Sequence, residues 1–515
     1  MRNVDSPNIA NQGDLNSPAA DLSTDDGSAR LLPTIEESQK FARQNKDIAP
    51  GSGGETPARQ TETTRVSAQG VPDRQDDGGG TESKSGGKDA KSGTGASCPV
   101  STEYNTLIEK AYRNVFDPTA LGDLAALKNK HNCEIKNPAD AFRFVNQELD
   151  RIGDHYTKVL NPTQVKQLDR LMKGTGKGIG LEVTAVDPDQ AKETGALRVV
   201  EVFAGSSAAK LGVKRGDFIS KVDGVDLTTK TPEQAYALLQ AEKAHAVTVT
   251  RDGKPIDLTL AQTTLDVPAV VDRMIPGTNI AYIRVRDFMK DNESYELQKA
   301  VKRYPYVDGF VFDVRGNLGG SVDQALQSAS IIVGKGTLLT TKMRHEDDSP
   351  TGKPAYDMTD YTLTDYELVQ RDVGPDGKVK EKRDLRLADL VDKPTVVLVN
   401  GDTASAAEIF AGALQQNGEA ELVGTQTFGK GIGQTVYFDQ PAGSRLQVTN
   451  FRFFTPNGEW IGDAAGHRIG IKPNQVVENG KYFEPEGASD KQFQAAIAAI
   501  NEKLGKQGQI KKPGQ

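Results

Sequence analysis

A chain of 515 residues is long enough for two to four domains and a sizeable buried core. Its 63 Lys and Arg against 71 Asp and Glu give a formal charge of −8, which argues against a surface that grips nucleic acid or anionic membrane through counterion release and favours protein or peptide partners. No apolar run reaches the length of a membrane span, and the N-terminal MRNVDSPNIANQGDL carries no readable secretion signal.

Residues 1–100 contain tracts such as GTESKSGGKDAKSGTG and a single aromatic, Phe41; they lack the apolar periodicity that would offset the entropy of ordering, so a disordered polar arm is expected. From Tyr104, apolar residues recur at helical spacing. Leu107, Ile108, Ala111, Tyr112 and Val115, then Ala141, Phe142, Val145, Leu149 and Ile152, predict a helical unit over 101–173. Short β-like runs follow: GIGLEVTAV, LRVVEVF, DFISKVDGVDL, AVTVTRDG and IDLTL, with one helix-like stretch, PEQAYALLQ. This is the rhythm of a small barrel over 174–264. Over 265–482, NIAYIRV, GFVFDVR, TLLTTK and TVVLVN alternate with helix-like SYELQKAVKRY, VDQALQSASII and SAAEIFAGALQQ. The alternation predicts an α/β core with crossovers, interrupted by a polar insert at about 345–393. A helix after Ser489 and a basic tail fill 483–515. Cys98 and Cys133 are too few for a disulfide framework and lack metal-ligand spacing, so two thiols are expected, with a single bridge between them as the alternative.

Ser405 stands in NGDTASAAEIFAGALQ, where a strand ends in polar turn residues and a helix begins; it either caps the helix or is exposed there as a nucleophile. A serine nucleophile needs a base. None of the five histidines (131, 155, 245, 345, 467) lies in a Gly-rich turn of the core beside a polar partner. Lys430, hemmed by Gly429, Gly431 and Gly433, is either an exposed lysine in a flexible turn or the base: a desolvated ammonium loses its proton more readily, and the neutral amine can then accept one. Gln434 is either an ordinary strand residue or the hydrogen-bonding partner that orients the lysine. Backbone donors for an oxyanion are offered by GFVFDVRGNLGG, whose glycine turn lacks the lysine of a nucleotide cradle. GKGIGLEV, at the entry to the barrel, is either a simple turn or a loop whose N–H groups hold a peptide carboxylate.

Together and in order, these segments resemble the carboxyl-terminal processing peptidases, or tail-specific proteases, from Tyr104 to near Leu504. The matching segments are DHYTKVLNP, GIGLEV, LGVKRGDFISKVDG, IAYIRVRDF, DVRGNLGG, TASAAEIFAGALQ, GKGIGQT, FFTPNGEWI and GIKPN. The resemblance implies a multi-domain α/β protein: a crotonase-like ββα peptidase core with an inserted PDZ-like barrel. It implies a serine endopeptidase that recognises protein C-termini through the PDZ domain and cleaves with a Ser-Lys dyad. Ser405 would be the nucleophile, Lys430 the general base and Gln434 its orienter. Ala406 and Gly319, with Gly320 as the alternative to the latter, would supply the oxyanion hole, and Gly178, Ile179, Gly180 and Leu181 would hold the substrate carboxylate. No metal or organic cofactor is implied. The expected partners are proteins or peptides with free C-termini, without nucleic acid or an integral membrane segment, and an oligomer is compatible with the reading. Members are usually exported, although no signal segment is readable here. Where many members carry an arginine after the last PDZ strand, this chain has Gln262, and the 345–393 insert, a lid or an assembly surface, is longer than usual. The rivals are a catalytically silent PDZ scaffold and a crotonase-like acyl-CoA enzyme; intact Ser405, Lys430 and Gln434 weigh against the first and the inserted barrel against the second.

Overall fold

The computed structural model describes residues 30–31, 98–172, 175–240, 243–345, 354–365, 367–385, 391–463 and 466–510. The expected disordered arm lies outside the described residues apart from 30–31 and 98–100.

The chain first forms helices α1 (Thr102–Asn114) and α2 (Pro138–Leu149), strand β1 (Lys158–Leu160) and helix α3 (Pro162–Met172). Side-chain oxygens of Ser101 and Asn137 cap the first two helices, satisfying donors that a helix start leaves open. Their apolar stripes, including Leu107, Ile108, Ala111, Val145 and Leu149, pack on Leu446 and Val448 of the core. Glu148 is buried beneath them and binds Lys130 (2.6 Å), His131 (3.0 Å) and Arg151 (3.0 Å). Contrary to the expectation of two thiols, Cys98 and Cys133 form a disulfide. The two cysteines, 35 positions apart in sequence, come back together because His131 and its neighbours fold against α1.

The inserted domain opens with β2 (Thr175–Gly178), β3 (Leu181–Ala185), β4 (Leu197–Val202) and β5 (Phe218–Val222). It continues with α4 (Pro232–Gln240), β6 (His245–Arg251), β7 (Lys254–Leu260) and β8 (Thr263–Asp266). Strands β3-β4-β5-β6-β7 form an antiparallel sheet in that order, around Leu197, Val199, Ile219, Val222, Val247 and Val249. β2 and β8 pair separately as a two-stranded stem, with Thr175 opposite Asp266 and Gly178 opposite Thr263. β3 is the terminal strand of its sheet and has no partner on its outer edge among the described residues.

The core runs β9 (Val270–Met274), β10 (Ile280–Val285), α5 (Glu293–Lys302), β11 (Gly309–Asp313) and α6 (Val322–Ala329). Next come β12 (Gly336–Arg344), β13 (Tyr356–Leu363), β14 (Glu367–Val373), β15 (Val379–Leu385), β16 (Thr395–Val399) and α7 (Ala406–Gln416). The last elements are β17 (Ala420–Gly424), β18 (Ile432–Tyr437), β19 (Arg445–Phe454), β20 (Gln475–Val476) and α8 (Lys491–Ile510). One sheet, β9-β10-β11-β16-β17-β20, is parallel except for β9. It is covered on both faces, which is why its strands read as unbroken apolar runs. Ala281, Ile283, Phe310, Phe312, Val397 and Val399 face α6 and α7, while Tyr282, Val311, Val396 and Leu398 face Phe493, Ala496 and Ile500 of α8. The second sheet, β18-β19-β12-β13-β14-β15, is antiparallel; β1 adds to β19, and Arg30–Leu31 pairs with the outer edge of β18. The polar insert expected at 345–393 therefore supplies three strands that extend this sheet.

Candidate active site

Ser405 follows the turn after β16 and caps α7 with φ 56° and ψ −120°, a backbone region that non-glycine residues seldom occupy and that the surrounding structure must enforce. Three contacts enforce it. The Ala404 N–H donates to Asn317 O (2.9 Å), the Phe428 N–H donates to Thr403 O (2.9 Å), and the Ser405 N–H donates to Glu408 Oε2 (2.8 Å).

Glu408 is the hub of the site. It is fully buried on α7, and its two oxygens accept four hydrogen bonds. Oε1 takes Thr427 Oγ1 (2.6 Å) and the Gly429 N–H (2.7 Å); Oε2 takes the N–H groups of Ser405 (2.8 Å) and Lys430 (2.9 Å). The backbones of Ser405 and Lys430 thus meet on one carboxylate oxygen. Burial pushes this carboxyl up, and the four donors pull against that rise by stabilising the anion. Position 408, three residues after the serine, is the reach-back place of a capping box, and this was the signal available in sequence for a residue read there only as helix.

Lys430 has no solvent exposure. Its Nζ donates to Gln434 Oε1 (3.2 Å) and lies 4.1 Å from the centroid of the Tyr156 ring. Gln434 is held in turn by its own Nε2 donating to Thr449 Oγ1 (3.0 Å). The Phe451 ring covers Gly433 so closely that a Cβ there would fall 1.8 Å from the ring carbon Cζ. Tyr156, Ala404, Phe428 and Ile432 form a small apolar cluster around the lysine, with Trp460 against it, and Arg468 stacks over Phe428 at 3.8 Å. Tyr156 belongs to the DHYTKVLNP segment, far from Lys430 in sequence, and only the folded chain brings it to the lysine.

On the other side of Ser405 lies the RGNLGG turn. Arg315 anchors it to Asp313 and to Asp490 at the start of α8. Gly319 has φ +100°, and a Cβ on it would fall 2.9 Å from Ala406 N, Ala404 O and Ser405 Cβ, so this position is restricted to glycine by the serine turn itself. The Gly319 N–H donates to Asn317 Oδ1 (2.9 Å), and Gly320 packs on the backbone of Phe288. Ser405, Ala406, Gly319, Lys430 and Gln434 are thus gathered around one place. The Gly178–Leu181 loop lies in the inserted domain. There the carbonyls of Gly178, Ile179 and Gly180 accept from Thr263 Oγ1 (3.3 Å), the Ala208 N–H (3.2 Å) and the Phe203 N–H (3.0 Å). A trans peptide aims its N–H opposite its C=O, so the Gly180 and Leu181 amides point away from these inward bonds.

Residues 279–477 match Peptidase family S41 and residues 198–251 match a PDZ domain. The carboxy-terminal-processing protease of Bartonella bacilliformis is 33% identical over 338 residues, 63% of this chain and 67% of that protein. The carboxyl-terminal-processing protease of Picosynechococcus is 30% identical over 381 residues, 72% of this chain and 81% of that protein. The chain belongs to the carboxyl-terminal-processing protease family. It is accordingly a serine-type peptidase carrying a PDZ domain, built as a multi-domain protein of mixed helix and strand. Among solved structures, the photosystem II D1 C-terminal processing protease aligns over 78% of this chain and all of its own length, with a TM-score of 0.45 and 24% identity. Among the described residues of this protease, no helix is long and apolar enough to cross a membrane and no group of His, Cys, Asp or Glu could hold a metal ion.

Proposed function

We propose that this protease captures the free C-terminus of a protein or peptide on the PDZ domain and cleaves upstream of it with Ser405 and Lys430. The observation that carries the reading is the shared Glu408 oxygen: it ties the backbone of a strained, helix-capping serine to that of a lysine with no access to water. Burial disfavours an ammonium, and the neutral amine is then a competent proton acceptor. Lys430 takes the Ser405 hydroxyl proton while Oγ attacks the scissile carbonyl. The oxyanion is received by the N–H groups of Ala406 and Gly319, and the lysine passes its proton to the leaving amine. Water then enters and attacks the acyl-serine while the neutral lysine takes one of its protons, and the lysine returns that proton to Ser405 Oγ as the acid product leaves, so that serine and neutral lysine are both regenerated. Gln434, fixed by Thr449, keeps Nζ from turning away.

Capture of the C-terminus is supported by the outward amides of Gly180 and Leu181 and by the free outer edge of β3, to which an extended peptide can add as a further strand. Mass spectrometry of candidate proteins incubated with wild type and with Ser405→Ala tests the whole reading. Internal cleavage by wild type alone is expected, and amidation of the substrate C-terminus should weaken binding to Ser405→Ala about tenfold or more, the size of a lost charge-assisted hydrogen bond. Turnover by Ser405→Ala, or equal binding of acid and amide, overturns the corresponding half.

A further inference from the structure

Phe428 touches both reacting segments. Its N–H donates to Thr403 O (2.9 Å), its ring packs with Ala404 beside Ser405, and the chain runs on from it through Gly429 to Lys430. On that ring lies Arg468, its guanidinium carbon 3.8 Å from the centroid and its Nε donating to Phe428 O (3.1 Å). The segment that carries the arginine is fixed to the same place. A Cβ on Gly429 would fall 2.9 to 3.0 Å from the backbone of Arg468, Ile469 and Gly470, and the Ile471 N–H donates to Thr427 Oγ1 (2.6 Å), the hydroxyl that itself donates to Glu408. Ring and carbonyl thus hold a planar fork whose two terminal nitrogens have no partner among the described residues. Arg468 is exposed. The charges of Glu408 and Asp402 reach it, but neither forms an ion pair with it, and Glu408 is already taken by four donors inside the fold. A guanidinium held rigid beside the reacting segments, with no counter-ion of its own, suits a carboxylate that arrives from outside.

We propose that Arg468 is a specificity-determining residue: it receives the carboxylate of an Asp or Glu side chain of the substrate within two residues of the scissile bond. This rests on the serine–lysine reading of the site, which puts the scissile carbonyl at Ser405. The stack on Phe428 removes much of the side chain's freedom before substrate arrives, so the fork meets a carboxylate at a small further cost in entropy. A lysine at this position would offer a point charge on a flexible stem. Arg452 is the contrasting cation. It stands opposite Ile432, a member of the same apolar cluster, but lies 4.7 Å from each of the Phe116 and Trp460 rings and is not held by Phe428. It therefore adds positive field near the cleft without sharing the Arg468 seat.

The test uses the full-length protein and a fluorogenic peptide reporter that it cleaves, ending in a free carboxylate and prepared in pairs that differ only by Glu or Gln at each of the two positions on either side of the scissile bond. At one of these positions Glu should raise kcat/KM over Gln by about five- to tenfold, more than a freely exposed ion pair gives and less than a fully buried one. Arg468→Gln should bring that ratio to about one, Arg468→Lys should leave about two- to threefold, and Arg468→Glu should turn the preference toward Gln. Arg452→Gln should keep the wild-type ratio. Because the ratio is internal to each variant, a lower overall rate does not obscure it, and Arg468→Lys decides the matter where the other changes do not fold. A wild type that ignores Glu at all four positions, a preference that survives Arg468→Gln or is undiminished in Arg468→Lys, or an equal loss in Arg452→Gln overturns the assignment. Ser405→Ala, run alongside, separates the two readings: turnover in that variant defeats the serine–lysine assignment, whereas a dead Ser405→Ala beside a flat ratio of Glu to Gln in the wild type defeats the Arg468 assignment alone.

Discussion

In the proposed mechanism Glu408 takes no part in proton transfer, yet its Oε2 holds the backbones from which the Ser405 and Lys430 side chains begin. Replacing it by glutamine leaves one oxygen for four donors, and the new NH2 must face two N–H or O–H groups inside the fold. Glu408→Gln should therefore lower kcat by about a hundredfold, the cost of a small misplacement of reacting groups, while binding of a C-terminal peptide to the PDZ domain stays near wild type. Single-turnover kinetics with parallel binding isotherms checks this, and a kcat within about threefold of wild type would deny the carboxylate its role. Lys430→Arg should be inactive at every pH at which the protein is folded, because a guanidinium stays protonated to above about pH 12 and cannot serve as a base. Hydrolysis of the reporter by that variant would show that only a positive charge is needed. Ser405, Lys430 and Gln434 could be singled out in the sequence because each stands in a short, unusual, glycine- or alanine-lined segment, and the fold sets Lys430 against Gln434 and joins its backbone to that of Ser405 through Glu408. Glu408 was hidden in plain view, since an acid three residues into a helix has an ordinary capping explanation, and Asn317 and Tyr156 acquire their meaning only from segments far away in the chain.

Among the elements, the buried parallel strands were the easiest to read: IAYIRV, GFVFD and TVVLV are apolar on both faces because helices cover both faces. The strands of the insert were not. β15 reads VKEKRDL, and its Lys380, Glu381, Lys382 and Arg383 are exposed, so no apolar alternation announces it; charges of this kind suit a sheet edge that must not pair with another chain. The N-terminal helices owe part of their packing to Glu148. Burial pushes its carboxyl up, but Lys130, His131 and Arg151 outweigh burial and hold it down at about 2, below the usual glutamate range. A depressed folded-state value means that the stabilisation is complete above the unfolded-state value and is lost as pH falls toward about 2. Glu148→Gln should accordingly melt at lower temperature than wild type at neutral pH, with the gap narrowing below about pH 5 and closing near the folded-state value. Melting curves across that range check the sign, and a gap that widens on acidification would contradict it.

For the molecule as a whole, a set of ion pairs joins the PDZ domain to the core. Arg198 pairs with Glu484, Arg215 with Glu486, and Glu182 with Arg284 and Arg286. Partly exposed pairs contribute little each and are screened as the Debye length falls from about 10 Å at 0.1 M salt to about 3 Å at 1 M. Raising salt should speed amide hydrogen exchange around residues 482–487 and in the stem strands, leaving the buried core strands protected; exchange there that ignores salt would point to an apolar seat instead. The stem itself has a consequence for how such proteases diversify. The chain enters the domain at Thr175 and leaves it at Asp266, residues that face each other across one strand pair, about 5 Å apart. A socket of this kind accepts a module without altering the path of the polypeptide through the rest of the enzyme. Any peptide-reading module whose two ends emerge a strand's width apart could be spliced onto the same ribbon, so a change of clientele can come by exchange of a cassette while the cutting machinery is inherited intact.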